Sequence, residues 1–350
     1  MYNRRISNVV SVGGVKLGGT HPITIQSMTN TDTRDIAATV RQIHELTESG
    51  CEIVRVAVPD KTAAEALGGI KRQIRIPLVA DIHFDHRLAL ESVAQGVDKL
   101  RLNPGNIGDR ERVKLVVAAA AKRGLPIRIG VNSGSLEKDV LARHGGITPA
   151  ALCESALNHV RLLEELDFGN IVISIKASGV PHTLEAYRLI AEQVPYPMHI
   201  GITEAGTLHA GTVKSAAGIA ALLSRGIGDT IRVSLTADPV EEVRVAREIL
   251  QSMELRCFGP VLISCPTCGR TEIDLIGMAE QVENFLETVR KPIKVAVMGC
   301  VVNGPGEAKD ADIGIAGGKG SGIIFAKGKV VATVPEDKLL SVLFDEIRKL

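Results

Sequence analysis

The 350-residue sequence has no tryptophan, three tyrosines and six phenylalanines. So few aromatic faces argue against the stacking platforms that hold single-stranded nucleic acid. Neither sign of charge is in excess, with 41 Lys and Arg against 40 Asp and Glu. No broad field gathers nucleic acid or an anionic membrane, so any anion must be met by a local cluster. Apolar residues reach 45%, ample for a core. No apolar run approaches the ~20 residues of a membrane helix. Met1-Tyr2-Asn3-Arg4-Arg5 resembles a twin-arginine start, but Gly13-Gly14 and Gly18-Gly19 stand where the apolar segment should follow. There are six cysteines, too few for a disulfide scaffold in a chain this long, which fits a reducing cytoplasm. Cys51, Cys153 and Cys257 lie among apolar neighbours and are expected to be buried packing residues.

The other three cysteines organise the chain. Ser264-Cys265-Pro266-Thr267-Cys268-Gly269 is answered by Met298-Gly299-Cys300-Val301-Val302-Asn303-Gly304-Pro305-Gly306-Glu307. Thiolates are soft ligands suited to zinc or to an iron–sulfur cluster, and a carboxylate would make one unusual corner. A structural zinc ribbon needs a second ligand pair at similar spacing. The second stretch supplies one Cys and no nearby His.

From Ile23 onward, short β-branched runs alternate with helical patterns. Eight strand–helix units follow, from strand Ile23–Thr29 to helix Val240–Ser252. Such alternation predicts a parallel sheet, and eight units predict a closed (β/α)8 barrel. An open doubly wound sheet would need a Gly-rich phosphate turn after its first strand, and Thr29-Asn30-Thr31-Asp32 is not one. The predicted division is a barrel domain over residues 1–255 and a small α+β domain over 256–350. The latter is expected to hold strands Val261–Ser264, Ile293–Met298, Ile313–Ala316, Gly322–Ala326 and Lys329–Thr333. Helices Asp274–Arg290 and Asp337–Leu350 complete it. Gly317-Gly318-Lys319-Gly320-Ser321-Gly322 misses the P-loop spacing and precedes a strand, so it predicts a hairpin turn.

Catalytic groups of a barrel sit at the C-terminal ends of its strands. Here those ends carry Gln26 and Ser27, Arg55, Asp81 and His83, Arg101 and Asn103, Arg128 and Asn132, Lys176 and Ser178, Glu204, and Arg232 and Ser234. Several lie two apart and share a strand face. Arg55, Arg101, Arg128, Lys176 and Arg232 against Asp81 and Glu204 leave a net positive bowl, which suits a phosphate ester bound by Arg forks. Glu204 is expected to be ionised among these cations, and to exchange protons with a substrate. His83 is read as either a phosphate donor or a core histidine.

These residues carry a family resemblance. Gln26-Ser27-Met28-Thr29-Asn30-Thr31, Ala80-Asp81-Ile82-His83-Phe84, Arg101-Leu102-Asn103-Pro104-Gly105-Asn106 and Gly130-Val131-Asn132-Ser133-Gly134-Ser135-Leu136 all contribute. So do Cys265-Pro266-Thr267-Cys268-Gly269-Arg270-Thr271 and the Cys300 stretch. The chain resembles the 4-hydroxy-3-methylbut-2-en-1-yl diphosphate synthase family of the methylerythritol phosphate isoprenoid pathway, in its bacterial two-domain form. The resemblance implies a [4Fe–4S] cluster on Cys265, Cys268, Cys300 and Glu307. It implies two-electron ring opening and dehydration of 2-C-methyl-D-erythritol 2,4-cyclodiphosphate, with flavodoxin or ferredoxin as donor. Diphosphate binding would fall to Arg55, Arg101, Asn103, Arg128, Asn132, Lys176, Arg232 and Ser234, with Asp81 and His83 nearby, and acid–base work to Glu204. It also implies a homodimer in which one subunit's cluster domain caps the other's barrel.

Chain geometry favours the same assembly. The eighth helix ends at the face opposite the bowl, and only Met253 to Ser264 separate it from Cys265. Capping a partner's bowl is easier than climbing the chain's own barrel wall. The alternative is a phosphate-binding barrel enzyme without redox chemistry, its cysteine domain a zinc-stabilised module.

Overall fold

The computed structural model describes residues 3–177, 179–301 and 308–350. Ser178 and Glu307, both singled out above, lie outside them. The chain divides into two compact units, Met1–Arg256 and Cys257–Leu350.

The first unit opens with a hairpin of β1 (Val10–Val12) and β2 (Val15–Leu17), which the sequence reading missed. Eight strand–helix pairs follow. They are β3 (Thr24–Met28) and α1 (Ile36–Glu48), β4 (Ile53–Ala57) and α2 (Lys61–Lys71), β5 (Leu78–Asp81) and α3 (His86–Ala94), and β6 (Lys99–Leu102) and α4 (Arg110–Lys122). After β7 (Ile127–Asn132) an unforeseen short helix, α5 (Lys138–His144), precedes α6 (Pro149–Glu164). Then come β8 (Ile171–Lys176) and α7 (Val180–Ala191), β9 (His199–Ile200) and α8 (Leu208–Leu223), and β10 (Thr230–Ile231) and α9 (Pro239–Ser252). The eight strands run in the order β8-β7-β6-β5-β4-β3-β10-β9. A parallel bridge between Ile173 and Met198 joins the first to the last, as a barrel requires.

Local chemistry sets these boundaries. Asp35, Asp60, Asp85 and Asp109 cap helices by accepting from the backbone N–H of Ala38, Ala63, Arg87 and Arg112. Gly50 and Gly96 stop α1 and α3 with φ of 105° and 86°, values an L side chain resists. Two strands are shorter than expected: β9 and β10 keep two residues each, where Met198–Thr203 and Thr230–Leu235 were foreseen. Beyond them the chain leaves the ladder to form the loops at the mouth.

The hairpin has a packing role. Val10, Val12 and Leu17 form one buried cluster with Ile53, Val79 and Val172 at the N-terminal ends of barrel strands. It plugs the barrel floor, each buried Val or Leu contributing roughly 1.5–3 kcal/mol. Two residues further along the same strand faces stand Arg55, Asp81 and Ser174. Each strand thus gives an apolar chain to the floor and a polar one above it.

The second unit is a five-stranded mixed sheet in the order β11 (Val261–Ser264), β12 (Lys294–Met298), β13 (Ile313–Gly318), β14 (Ser321–Ala326), β15 (Lys329–Pro335). The first three are parallel and the last three antiparallel. Helices α10 (Leu275–Leu286) and α11 (Leu339–Lys349) give Met278, Val282, Leu339 and Leu343 to a core with Val295, Val297, Ile315 and Ile324. The Gly317–Gly322 stretch is a hairpin turn, as its spacing predicts, with Gly320 at φ 68°. Cys51 and Cys153 are buried as expected; Cys257 is exposed, against expectation, because it lies just before the turn at Gly259 rather than in either core.

Candidate active site

The mouth of the barrel is lined by buried cations. Arg55, Arg101 and Arg128 are 2%, 3% and 0% exposed. Asp81 stands between the first two: its Oδ1 accepts from Arg101 Nη1 at 3.0 Å, and its Oδ2 lies 3.8 Å from Arg55 Nε. Burial pushes the Asp81 carboxyl upward, but Arg55 and Arg101 overcome this and hold it well below the carboxylate range. Arg101 Nη2 also reaches Asn132 Oδ1 at 3.4 Å. Gly130 lies directly against that guanidinium: a Cβ there would stand 2.5 Å from Arg101 Nε. Arg128 donates to Ser174 Oγ at 3.0 Å, while among the described residues its Nε and Nη2 have no partner. Arg55 Nη1, Arg101 Nε and Arg232 Nε are also buried and, among the described residues, unpartnered.

Burial takes hydration from these groups, and their mutual repulsion adds to the cost. Arg55 is pulled down to about 9 chiefly by burial, with Asp81 opposing. Lys176 is pulled well below its ordinary value by burial and by Arg55, Arg101, Arg128 and Arg232 around it. It lines an open pocket of about 280 Å³ with Ser174, His199, Arg232 and Ser234. His83 is half-exposed, its Nε2 3.9 Å from Asp81 Oδ2, so it is not a core histidine. Burial keeps its imidazole below the usual pKa against the pull of Asp81. Asn103 is buried, but its Oδ1 accepts from Gly105 N–H at 3.1 Å, which fixes the loop after β6.

Glu204 departs from its expected place among the cations. It is exposed in the loop after β9, and among the described residues no cation lies within ion-pair reach of its carboxylate. The short β9 explains this, since Glu204 stands on a loop rather than a strand face. Its φ of 51° is costly for a non-glycine residue, and its carbonyl accepts from Lys214 Nζ at 3.1 Å.

Sequence reasoning missed four neighbours. Lys99 is fully buried, its Nζ donating to Gln26 Oε1 at 3.2 Å; period-two alternation with Arg101 and Asn103 was the available signal. Burial, then Arg128 and Arg55, lowers its amine far below the ordinary value. Ser174, two residues before Lys176, carried the same signal. His199 is buried, and among the described residues its Nδ1 is unpartnered. Glu242 had no local signal: from α9 it lies 3.3 Å from Arg232 Nη2, accepts from Ser27 Oγ at 3.2 Å, and accepts from Leu235 N–H at 3.0 Å.

In the second unit, the parallel pairing of β11 with β12 ends with Ser264 opposite Val297, so Cys265 and Cys300 both follow at the same end of the sheet. Gly299 N–H donates to Cys265 Sγ at 3.2 Å. Cys268 and Thr271 close a turn with bonds of 3.2 and 3.0 Å. Backbone and side-chain hydrogen bonds from Arg270 pull the Cys268 thiol down, favouring thiolate. All three cysteines are free. Among the described residues no three His, Cys, Asp or Glu are gathered as for a metal ion; Glu307 is not among them. The free soft donors and the N–H groups aimed at sulfur nonetheless fit an iron–sulfur group.

Models of the GcpE TIM-barrel domain and the GcpE protein C-terminal domain match residues 7–247 and 261–349. The chain belongs to the GcpE family. Similar members include proteins named 4-hydroxy-3-methylbut-2-en-1-yl diphosphate synthase (flavodoxin). That of Caldanaerobacter subterraneus subsp. tengcongensis is 60% identical over 99% of this chain and 98% of its own. That of Anoxybacillus flavithermus is 58% identical over 100% and 96%. These names leave the zinc-module alternative without support. Among solved structures, Yersinia pestis dihydropteroate synthase aligns with a TM-score of 0.50 at 12% identity, covering 70% of this chain and 98% of that one. The A437G variant of Plasmodium falciparum HPPK-DHPS with SDX-DHP aligns at 0.51 and 12%, covering 71% and 50%. At such identity the GcpE chain shares with them the barrel fold alone. Among the described residues no helix is long and apolar enough to cross a membrane.

Proposed function

We propose that this protein reduces 2-C-methyl-D-erythritol 2,4-cyclodiphosphate to (E)-4-hydroxy-3-methylbut-2-en-1-yl diphosphate in isoprenoid biosynthesis, in the cytoplasm, with flavodoxin as electron donor. The observation that carries the reading is the mouth of the barrel. Arg55, Lys99, Arg101, Arg128, Lys176 and Arg232 there outnumber the carboxylates Asp81 and Glu242. An excess of buried positive charge is stabilised by an anion, and a cyclic diphosphate brings one.

In the reaction a ring C–O bond breaks, the diphosphate is freed at one end, a hydroxyl departs as water, and two electrons enter with protons. Arg55, Arg101, Arg128, Lys176 and Arg232 hold the diphosphate, with Asn103, Asn132 and Ser234 orienting it. Asp81 keeps Arg55 and Arg101 aimed, and His83 donates at the rim. Glu204 handles the proton of the departing hydroxyl; its strained backbone supports a role beyond packing. Cys265, Cys268, Cys300 and Glu307 would hold a [4Fe–4S] cluster, which passes electrons singly when bound. Protein purified without air is expected to carry about four iron and four sulfide per chain and to turn over the cyclodiphosphate with reduced flavodoxin. One zinc per chain and no turnover would refute the reading.

The active unit is a homodimer whose sites are shared between chains. Mixing Glu204→Gln with Cys300→Ser is expected to restore up to about a quarter of wild-type activity. Random exchange makes half the dimers mixed, each with one intact site. Mixed dimers confirmed by mass but without recovered activity would exclude sharing.

A further inference from the structure

Helix α6 turns one stripe of its surface inward: Leu152, Ala156, His159 and Leu163 recur at helical spacing, and all are buried. His159 is the polar member of those four and is 4% exposed. An imidazole is costly in such a place unless polar groups meet it. Its Nε2 lies 3.3 Å from Glu137 Oε1, within ion-pair reach but off the line of a hydrogen bond. Burial keeps the imidazole below its ordinary pKa, with Glu137 opposing. Gly105 lies against the same ring: a Cβ there would stand 2.8 Å from His159 Cε1, closer than side chains approach.

The ring is thus in contact with two loops of the barrel mouth. Gly105 belongs to the turn after β6, and Glu137 to the segment leading from β7 into α5. Each loop begins with an asparagine of the diphosphate set. Asn103 caps its turn, with Oδ1 accepting from Gly105 N–H. Asn132 Oδ1 accepts from Arg101 Nη2, and its carbonyl accepts from Ser135 Oγ at 3.3 Å. Both amide oxygens are therefore engaged, which leaves the side-chain NH2 groups to donate to phosphate oxygens. Helix α6 also holds the far end of the second loop. Its Glu154 accepts from Arg143 Nε at 3.0 Å and pairs with His144 Nε2 at 2.6 Å, both on α5. Those partners are partly exposed, and such surface pairs contribute little. His159 differs because it is buried and touches both loops at once.

We propose that His159 is a positioning residue: held between Gly105 and Glu137, it sets the loops after β6 and β7 so that the NH2 groups of Asn103 and Asn132 meet the diphosphate. The proposal rests on the reading of the barrel mouth as a diphosphate site. A side chain that never touches substrate can act in this way, because a misplacement of about 1 Å is enough to weaken such contacts.

The test uses the full-length, cluster-loaded enzyme and two readouts, kinetics with the cyclodiphosphate and calorimetric binding of inorganic pyrophosphate. In His159→Ala, KM is expected to rise about tenfold, the loss of one hydrogen bond to a charged group at the low end of its usual strength. The dissociation constant for pyrophosphate should rise by a similar factor, while kcat changes little, because these bonds hold substrate and transition state alike. His159→Gln keeps a donor and most of the volume and should recover most of the affinity. Glu137→Ala should resemble His159→Ala, and the double variant should be no worse than either, since both remove one contact. Gly105→Ala leaves both partners in place but displaces the ring, and should raise KM as well. A His159→Ala protein that melts earlier but keeps wild-type KM and pyrophosphate affinity would overturn the proposal, since His159 would then only pack α6. So would additive losses in the double variant. Should His159→Ala not fold, an unchanged KM in Gly105→Ala would overturn it instead. Wild-type protein that binds no pyrophosphate would refute the diphosphate reading itself.

Discussion

Replacing Asp81 with Ala is expected to destabilise the barrel by about 3–5 kcal/mol, the usual result of removing one partner from a buried ion pair. The carboxylate lies between Arg55 and Arg101, and the three residues are 2–3% exposed. Without it, two guanidinium groups remain dry and unpaired beside Arg128 and Lys176. For a unit of this size the melting temperature should fall by about 6–20 °C, at 2–4 °C per kcal/mol. Asp81→Asn keeps an acceptor for Arg101 and should fall less. The sign of the pH dependence follows from the depressed carboxyl. Its stabilisation is fully present at neutral pH and is lost progressively as pH falls below the ordinary carboxylate value of about 4 toward the lower folded value. The gap between wild type and Asp81→Asn should therefore narrow in acid. Thermal melts of the three proteins at neutral and acid pH check this. A melting temperature for Asp81→Ala within a degree of wild type would show that the arginines are not held by this carboxylate. Inorganic pyrophosphate should raise the melting temperature of Asp81→Ala more than that of wild type, because it supplies the missing negative charge.

Cys300→Ser should leave the second unit folded and remove its chemistry. The core of that unit is Val282, Val295, Val297, Ile315, Ile324, Leu339 and Leu343, and Cys300 is not part of it. A serine hydroxyl is a hard donor that stays protonated near neutral pH, a poor replacement for thiolate on iron. Outer-shell changes around metal ligands already cost about 10–100-fold in affinity or activity, so loss of a ligand should cost at least the upper figure. Anaerobic preparations should show reduced iron and visible absorption beside an unchanged far-ultraviolet circular dichroism spectrum. Cys153→Ser is the control: that thiol is buried in the barrel unit, with burial raising it to about 11, and iron content should not change. A Cys300→Ser protein with full iron and turnover would remove Cys300 from the ligand set.

Much of this molecule was legible in the order of its residues, because the signals are local. Alternation of β-branched runs with helical patterns depends on neighbours within a few positions, and it placed all eight barrel strands. Cys-Pro-Thr-Cys spacing and the glycine stops Gly50 and Gly96 are local in the same sense. Period two put Arg101 with Asn103, and Asp81 with His83, on shared faces. Other features rest on contacts that no local pattern contains. The hairpin plug was invisible because its strands are three residues long, and their partners Ile53, Val79 and Val172 are far along the chain. Glu242 looks like a surface acid in the first turn of α9, yet barrel closure sets it against Ser27, 215 positions away, and against Arg232. Glu204 was expected at a strand end, but the ladder stops after Ile200 and leaves it on an exposed loop. Residue types and spacing determined that this chain would be a barrel with a cation-rich mouth and a cysteine domain. Only the tertiary structure decided which charges are buried together and which carboxylate each cation meets, because closing the sheet joins residues that the sequence keeps far apart.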